Sequence, residues 1–474
     1  RTGFADAGEV LRRLQALKSS ARYASLPEVG RQRLDRLMPL LLGAAGQARE
    51  PDLALARLLD LLERIARRSV YMALLVEYPL ALSQLVKLCS ASPWIARYLA
   101  QQPLLLDELL DPRSLYAPPD KAALQAELRR RMADCPAGDL EQAMDSLRHF
   151  HHSNLLRVAA ADLSGALALM KVSDHLSWIA EVVLEQALEL AWQDLTARHG
   201  SPVAGGEDKG FAIIAYGKLG GLELGYGSDL DLVFLYRGED GGCMTGGDAP
   251  LALPVFYTRL GQRLIHILTA HTPAGVLYEI DMRLRPDGAS GMLVSPLASY
   301  AAYQRDKAWI WEHQALVRAR FVAGDAAVGA AFDDIRREIL CRPRDPIRLR
   351  EEIRDMRRRM REELQKKVAG QFDLKQGEGG IVDIEFLVQF AVLDGARHCP
   401  ELLDFTDNVR LLETLAACGR MTAAEADTLA AAYRQYRGRL HRLALQEQGR
   451  LVAEPEFAEL REAVSRIWRE WMEK

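Results

Sequence analysis

The stretch Ala215-Tyr216-Gly217-Lys218-Leu219-Gly220-Gly221-Leu222-Glu223-Leu224-Gly225-Tyr226-Gly227-Ser228-Asp229-Leu230-Asp231-Leu232-Val233-Phe234-Leu235-Tyr236 reads as a strand end, a glycine-rich turn and a second strand opening on two aspartates. Side chains alternate faces along a strand, so Asp229 and Asp231 share one face while Leu230 and Leu232 turn to a core. Two neighbouring carboxylates repel each other unless a cation lies between them. A hard cation such as Mg²⁺ takes carboxylate oxygens and keeps positions open for water or phosphate. The upstream glycines, lacking a Cβ, let backbone N–H groups approach a phosphate chain.

Paired glycines, a short spacer and Asp-x-Asp at the head of an apolar strand are the layout of a metal-dependent nucleotidyltransferase. A third carboxylate is expected from a neighbouring strand, because a two-metal site needs one. Val276–Arg285 supplies it: alternation places Glu279, Asp281, Arg283 and Arg285 on one face, and Tyr278, Ile280, Met282 and Leu284 on the other. The two arginines suit the cationic clamp that phosphoryl chemistry requires. Between these strands Phe256, Leu260, Leu264 and Ile267 recur at helical spacing, as expected of a helix joining strands. Phe211–Ala215 reads as a short buried strand.

The flanks are helical. At 474 residues the chain exceeds one compact core, and about three domains are expected. From Val10 to about Leu110, Leu53, Leu55, Leu58, Leu59, Leu62 and Ile65 show the periodicity, and Pro79, Pro93 and Pro103 divide the region into short helices. Asp111–Asp120, with Pro118-Pro119, reads as a linker. Helices resume at Lys121. His149 and His152 share a helix face, but no carboxylate or cysteine at useful spacing completes a metal site, so a polar helix face is the favoured reading. Gly200–Gly210 marks the entry to the central unit, and Arg237–Ala252 reads as a mobile loop.

Beyond it, Ala308–Val322, with Trp309, Trp311, His313 and Arg318, reads as an aromatic-rich helix packed in the core beneath the sheet. Ile347–Lys367 reads as a solvated helix of mixed charge with an Ile353, Met356, Met360 and Leu364 stripe. In Phe372–Phe386 three glycines precede a helix whose first turn holds Asp383 and Glu385; capping and a functional role are both open, with Lys375 placed to reach a triphosphate. The remainder is helical.

A net charge of −4 argues against a general nucleic-acid binder. Six cysteines, at 89, 135, 243, 341, 399 and 418, form no C-x-x-C pair; neither a zinc site nor a disulfide framework is expected, and a reducing cytoplasm is. No membrane segment is expected, since the best apolar run, Met72–Leu82, is interrupted by Glu77 and Pro79. The chain begins with Arg1 and reads as part of a longer polypeptide.

Three strings together resemble one family: Gly217-Lys218-Leu219-Gly220-Gly221-x-Glu223-Leu224-Gly225-Tyr226-x-Ser228-Asp229-Leu230-Asp231-Leu232, then Asp281-Met282-Arg283-Leu284-Arg285-Pro286, then Gly379-Gly380-Ile381-x-Asp383-Ile384-Glu385-Phe386. Their wording and order are similar to glutamine synthetase adenylyltransferase, along nearly the whole chain. That family joins an AMP-removing and an AMP-attaching unit in tandem, and the Glu-Leu-Gly-Tyr-x-Ser-Asp-Leu-Asp wording resembles the attaching one.

The resemblance implies an α+β, mostly helical chain with a DNA polymerase beta-like nucleotidyltransferase core, a small mixed sheet, flanked by helical bundles. The expected division is 1–120 N-terminal helical region, 121–335 nucleotidyltransferase domain with its leading helices, and 336–474 C-terminal helical bundle. It implies AMP transfer from ATP to a tyrosine of glutamine synthetase in the cytoplasm, with the PII signalling protein and glutamine as regulators, and no nucleic acid or membrane. Asp229, Asp231 and Asp281 become catalytic and metal-binding (two Mg²⁺ ions). Gly220, Gly221, Ser228, Lys218, Arg283, Arg285 and Lys375 become nucleotide-binding. Seven residues separate Gly221 from Asp229, so which glycine meets phosphate stays open. Phosphorolytic AMP removal, another acceptor, or a non-catalytic docking module are the alternatives.

Overall fold

The computed structural model describes residues 3–202, 208–238 and 243–473. The expected entry segment and mobile loop lie partly outside these, at 203–207 and 239–242. The chain forms two compact units: residues 1–120, 148–175 and 442–449 make one, and residues 121–147, 176–441 and 450–474 the other.

The first unit is built of short helices whose starts are set by proline. Pro79, Pro93 and Pro103 each stand first in a helix, where the missing N–H costs nothing and the fixed φ favours entry. Ser92 caps the second of these through Ile95 N. The Pro51–Ile65 helix buries Leu55, Leu58, Leu59, Leu62 and Ile65, while Leu53 faces outward. No single helix among the described residues is long and apolar enough to cross a membrane; Ser69–Glu77 and Pro79–Ala91 reach that length only together, across a 107° bend.

The second unit holds a small mixed sheet among helices. Its strands are β1 (Phe211–Ala215), β2 (Leu230–Tyr236), β3 (Ile280–Asp281), β4 (Val294–Pro296) and β5 (Arg320–Gly324). The order is β3-β2-β1-β5, with β4 also on β2; β1 runs antiparallel to β2 and β5, and β2 parallel to β3 and β4. Every β1 residue is buried, as expected of a central strand covered on both faces. The Leu253–Thr269 helix buries Phe256, Leu260, Leu264 and Ile267, as their spacing predicts. A second sheet pairs β6 (Gln371–Asp373) with β7 (Leu451–Ala453) among the later helices.

Four expectations need correction. The Val276–Arg285 strand shrinks to Ile280–Asp281; its end is set where the Asp281 carboxylate accepts Arg283 N at 2.8 Å and turns the chain. Trp309 and Trp311 are not core residues: they are 71% and 39% exposed, since the Ile310–Val317 helix buries Glu312, His313, Gln314, Leu316 and Val317 instead. In the charged helix, Pro346–Leu364, the buried row is Leu349, Ile353 and Arg357, while Met356 and Met360 of the expected stripe are half-buried and Leu364 is exposed. Cys399 and Cys418 are joined as a disulfide, at a Cα separation of 6.4 Å. Their separation of 19 in sequence conceals that the ends of the Ile381–Gly395 and Asn408–Ala417 helices meet.

Candidate functional site

The parallel pairing of β2 and β3 sets Asp231 opposite Asp281, one register step beyond Leu230 and Ile280. Asp229 stands two residues before Asp231, at the mouth of the same strand. One carboxylate oxygen from each of the three lies within 4.8 Å of the others. Burial, then the charges of Asp229 and Asp281, push the Asp231 carboxyl up to about 6. Such mutual destabilisation is what a divalent cation relieves, and an all-carboxylate donor set suits a hard ion such as Mg²⁺.

Arg283 is exposed and pairs with Asp281 through Nε and Nη2, with Nε 2.8 Å from Oδ2. Hydrogen bonding by this guanidinium, against a smaller opposing effect of burial, holds the Asp281 carboxyl below its usual range. Arg285, expected beside it, is turned into the loop, where its nitrogens bond the carbonyls of Met282, Ala289 and Gly291.

The glycine-rich turn is a single helical turn, Gly217–Gly220. Gly217 has φ +55°, and a Cβ there would come within 2.2 Å of Asp231 Oδ2, so glycine is what lets the carboxylate pack on the backbone. The Gly220 and Gly221 amides donate to Tyr216 O and Gly217 O. Neither has room for a side chain: a Cβ on Gly220 would meet Arg318 O at 1.9 Å, and one on Gly221 the Arg318 guanidinium at 2.5 Å. Thr406 Oγ1 and Arg320 Nε both donate to Gly220 O, fixing the turn from outside.

Lys218 and Ser228 lie at the open side, Nζ to Oγ 3.3 Å, and Ser228 Oγ also accepts Gly225 N at 3.1 Å. Lys218 keeps contact with solvent, yet its ammonium is crowded by protein atoms; this desolvation first, and Lys375 second, lower its pKa, while Asp229 and Glu385 oppose the shift. Lys375, 157 positions later in sequence, is thus close enough in the fold for its charge to act on Lys218. Its loop is ordered by the buried Asp373 carboxylate, which accepts Lys375 N and Gln376 N, both at 3.0 Å. Asp383 serves the scaffold: buried, it takes Arg357, Arg361 and the Gly379 amide. Glu385 instead pairs with Arg318 at 2.7 Å on the flank of the site.

Sequence reasoning missed the polar cluster behind the turn. Glu223 is buried and bonded by Arg318, Tyr433, Asn408 and Arg437. Glu223 stood inside the quoted motif, but its partners lie 95 to 214 positions away and carry no local signal. His441 packs edge-on to Tyr226, centroids 5.6 Å apart.

The model of glutamate-ammonia ligase adenylyltransferase matches residues 82–335, and that of the GlnD PII-uridylyltransferase matches residues 348–469. The chain is 55% identical to the bifunctional glutamine synthetase adenylyltransferase/adenylyl-removing enzyme of Thioalkalivibrio sulfidiphilus, over 100% of the chain and 49% of that protein. It is 55% identical to the like-named protein of Nitrosococcus oceani (98% and 48%) and 49% identical to that of Pseudomonas putida (99% and 49%). The chain thus spans about half the length of the curated relatives it matches.

Proposed function

The chain belongs to the glutamate-ammonia ligase adenylyltransferase family, and from that premise we propose that it transfers AMP from ATP to a tyrosine hydroxyl of glutamine synthetase, releasing pyrophosphate. The observation that carries this reading is the convergence of Asp229, Asp231 and Asp281 beside Lys218 and Ser228. The three carboxylates would hold magnesium, two ions by the family's pattern, which supplies charge neutralisation for the triphosphate and polarises its α-phosphorus.

This chain's own side chains do the rest. Lys218, Ser228, Lys375 and Arg283 bind the β- and γ-phosphates and the departing pyrophosphate. Gly220 and Gly221 hold the turn that carries Lys218, and Arg285 holds the loop that carries Arg283. The acceptor's phenol oxygen attacks the α-phosphorus, the bond to the bridging oxygen breaks, and the phenol proton passes to Asp281. While Arg283 sits on Asp281, that carboxylate is a weak base. A triphosphate that draws Arg283 to itself removes that partner from Asp281 when the proton must be accepted.

Transfer rather than removal of AMP rests on the Glu223-Leu224-Gly225-Tyr226 wording, although the relatives' bifunctional name covers both. The family resemblance also makes a cytoplasmic setting, and control by PII and glutamine, part of the proposal. The test is mass spectrometry of glutamine synthetase incubated with the chain, ATP and Mg²⁺: one AMP on a tyrosine is expected. Phosphorolysis of adenylylated glutamine synthetase, with phosphate taking the AMP group as ADP and restoring the tyrosine, and no addition, would reverse the assignment.

A further inference from the structure

Glu223 takes no part in the carboxylate cluster, yet it is among the most firmly held acids in the unit. It is 2% exposed. Tyr433 Oη donates to it at 2.5 Å and Asn408 N at 3.1 Å, Arg318 pairs with the same carboxylate, and Arg437 Nη1 approaches to 3.7 Å. A buried carboxylate is costly without such partners. Burial alone raises its pKa; Arg318, Arg437, Tyr433 and Asn408 reverse that and hold it ionised.

The backbone connects this anchor to the open side of the site. Glu223 N donates to Lys218 O at 2.7 Å, closing the loop that runs from the glycine turn. Arg437 Nη2 donates to Glu223 O at 2.8 Å, so both ends of the residue are held. Lys218 in turn meets Ser228. Asn408, Tyr433 and Arg437 come from the Asn408–Ala417 and Ala423–Leu445 helices, far along the chain.

Resting on the nucleotidyltransferase reading, we infer that Glu223 is a positioning residue through which these later helices fix Lys218 and Ser228 for the substrate's phosphates. A charge on a flexible stem binds phosphate well only if its backbone is placed before substrate arrives, because ordering it afterwards subtracts from affinity. The grip places that backbone without touching the nucleotide.

The test uses the full chain with four variants: Tyr433→Phe, Glu223→Gln, Lys218→Met and the Glu223→Gln/Lys218→Met double. Steady-state transfer and Mg²⁺·ATP binding are measured with thermal melting and backbone hydrogen exchange over residues 217–228. Tyr433→Phe should stay folded at a somewhat lowered melting temperature, because it leaves buried Glu223 and Asn408 each short of a partner, and should lower kcat/KM for ATP ~10-fold and speed exchange in the turn. Glu223→Gln should cost ~100-fold, and the double variant no more than ~3-fold beyond Lys218→Met, since both changes disable the same group. If Glu223→Gln fails to fold, Tyr433→Phe carries the test by itself. Losses that multiply in the double variant, or wild-type kinetics and exchange in Tyr433→Phe, would overturn the inference. A wild-type chain that binds no Mg²⁺·ATP, with a turn still loosened by Tyr433→Phe, would remove the functional reading and leave the grip standing.

Discussion

Asp231 and Asp281 face each other across two parallel strands, and only Asp281 of the two is paired with the exposed Arg283 among the described residues. The pair is held in a repulsive arrangement that a divalent ion converts into a site. Asp231→Asn should lower AMP transfer by at least ~1,000-fold. In metal-free protein at pH 7 the same change should raise stability by about 1–2 kcal/mol, because an acid whose folded pKa is raised is a burden once ionised. Urea denaturation with and without Mg²⁺ checks both halves; a variant that is less stable without metal would contradict the repulsion.

Arg283→Gln should raise the KM for ATP by ~10-fold with little change in melting temperature, because the Arg283 side chain of the pair with Asp281 is exposed and such a pair contributes little to folding. Arg285→Gln should behave differently. Its guanidinium organises three loop carbonyls, so a lowered melting temperature should accompany its kinetic loss. Equal melting behaviour of the two variants would sink this distinction.

Asp383→Ala should destabilise the chain by about 3–5 kcal/mol, since it leaves Arg357 buried without its anion. Guanidinium denaturation measures this directly. A variant of unchanged stability would make the Pro346–Leu364 helix independent of the helix it packs against.

Burial pushes His441 down to about 3 and His313 down to about 4, so both are neutral when folded. Unfolded, they protonate near pH 6.5. The unfolded chain therefore binds more protons as pH falls from 6.5 toward those values, and stability drops by up to ~1.4 kcal/mol per pH unit for each. Denaturation midpoints between pH 7 and 5 should show the decline, and His441→Gln should make it shallower. An unchanged slope in that variant would show that His441 is not buried neutral.

The site was readable where its logic is local. Asp229 and Asp231 share a face by strand alternation, and Asp281 announced itself by another alternating segment. The alternation failed after Asp281, because an aspartate can bond its own backbone two residues on and end a strand that periodicity would continue. Trp309 and Trp311 were misplaced for a related reason: aromatic content predicts burial on average, whereas which helix face is covered depends on distant neighbours. Glu223, Arg318 and Tyr433 were beyond reach, since nothing near each residue tells it of the other two.

The span between Glu223 and Arg437, 214 residues, also orders events during synthesis. A ribosome emits the glycine turn long before the helix that secures it, so the nascent chain carries its acids and lysine with no firm seat for them. Prematurely terminated products should therefore be inert toward nucleotide rather than uncontrolled transferases.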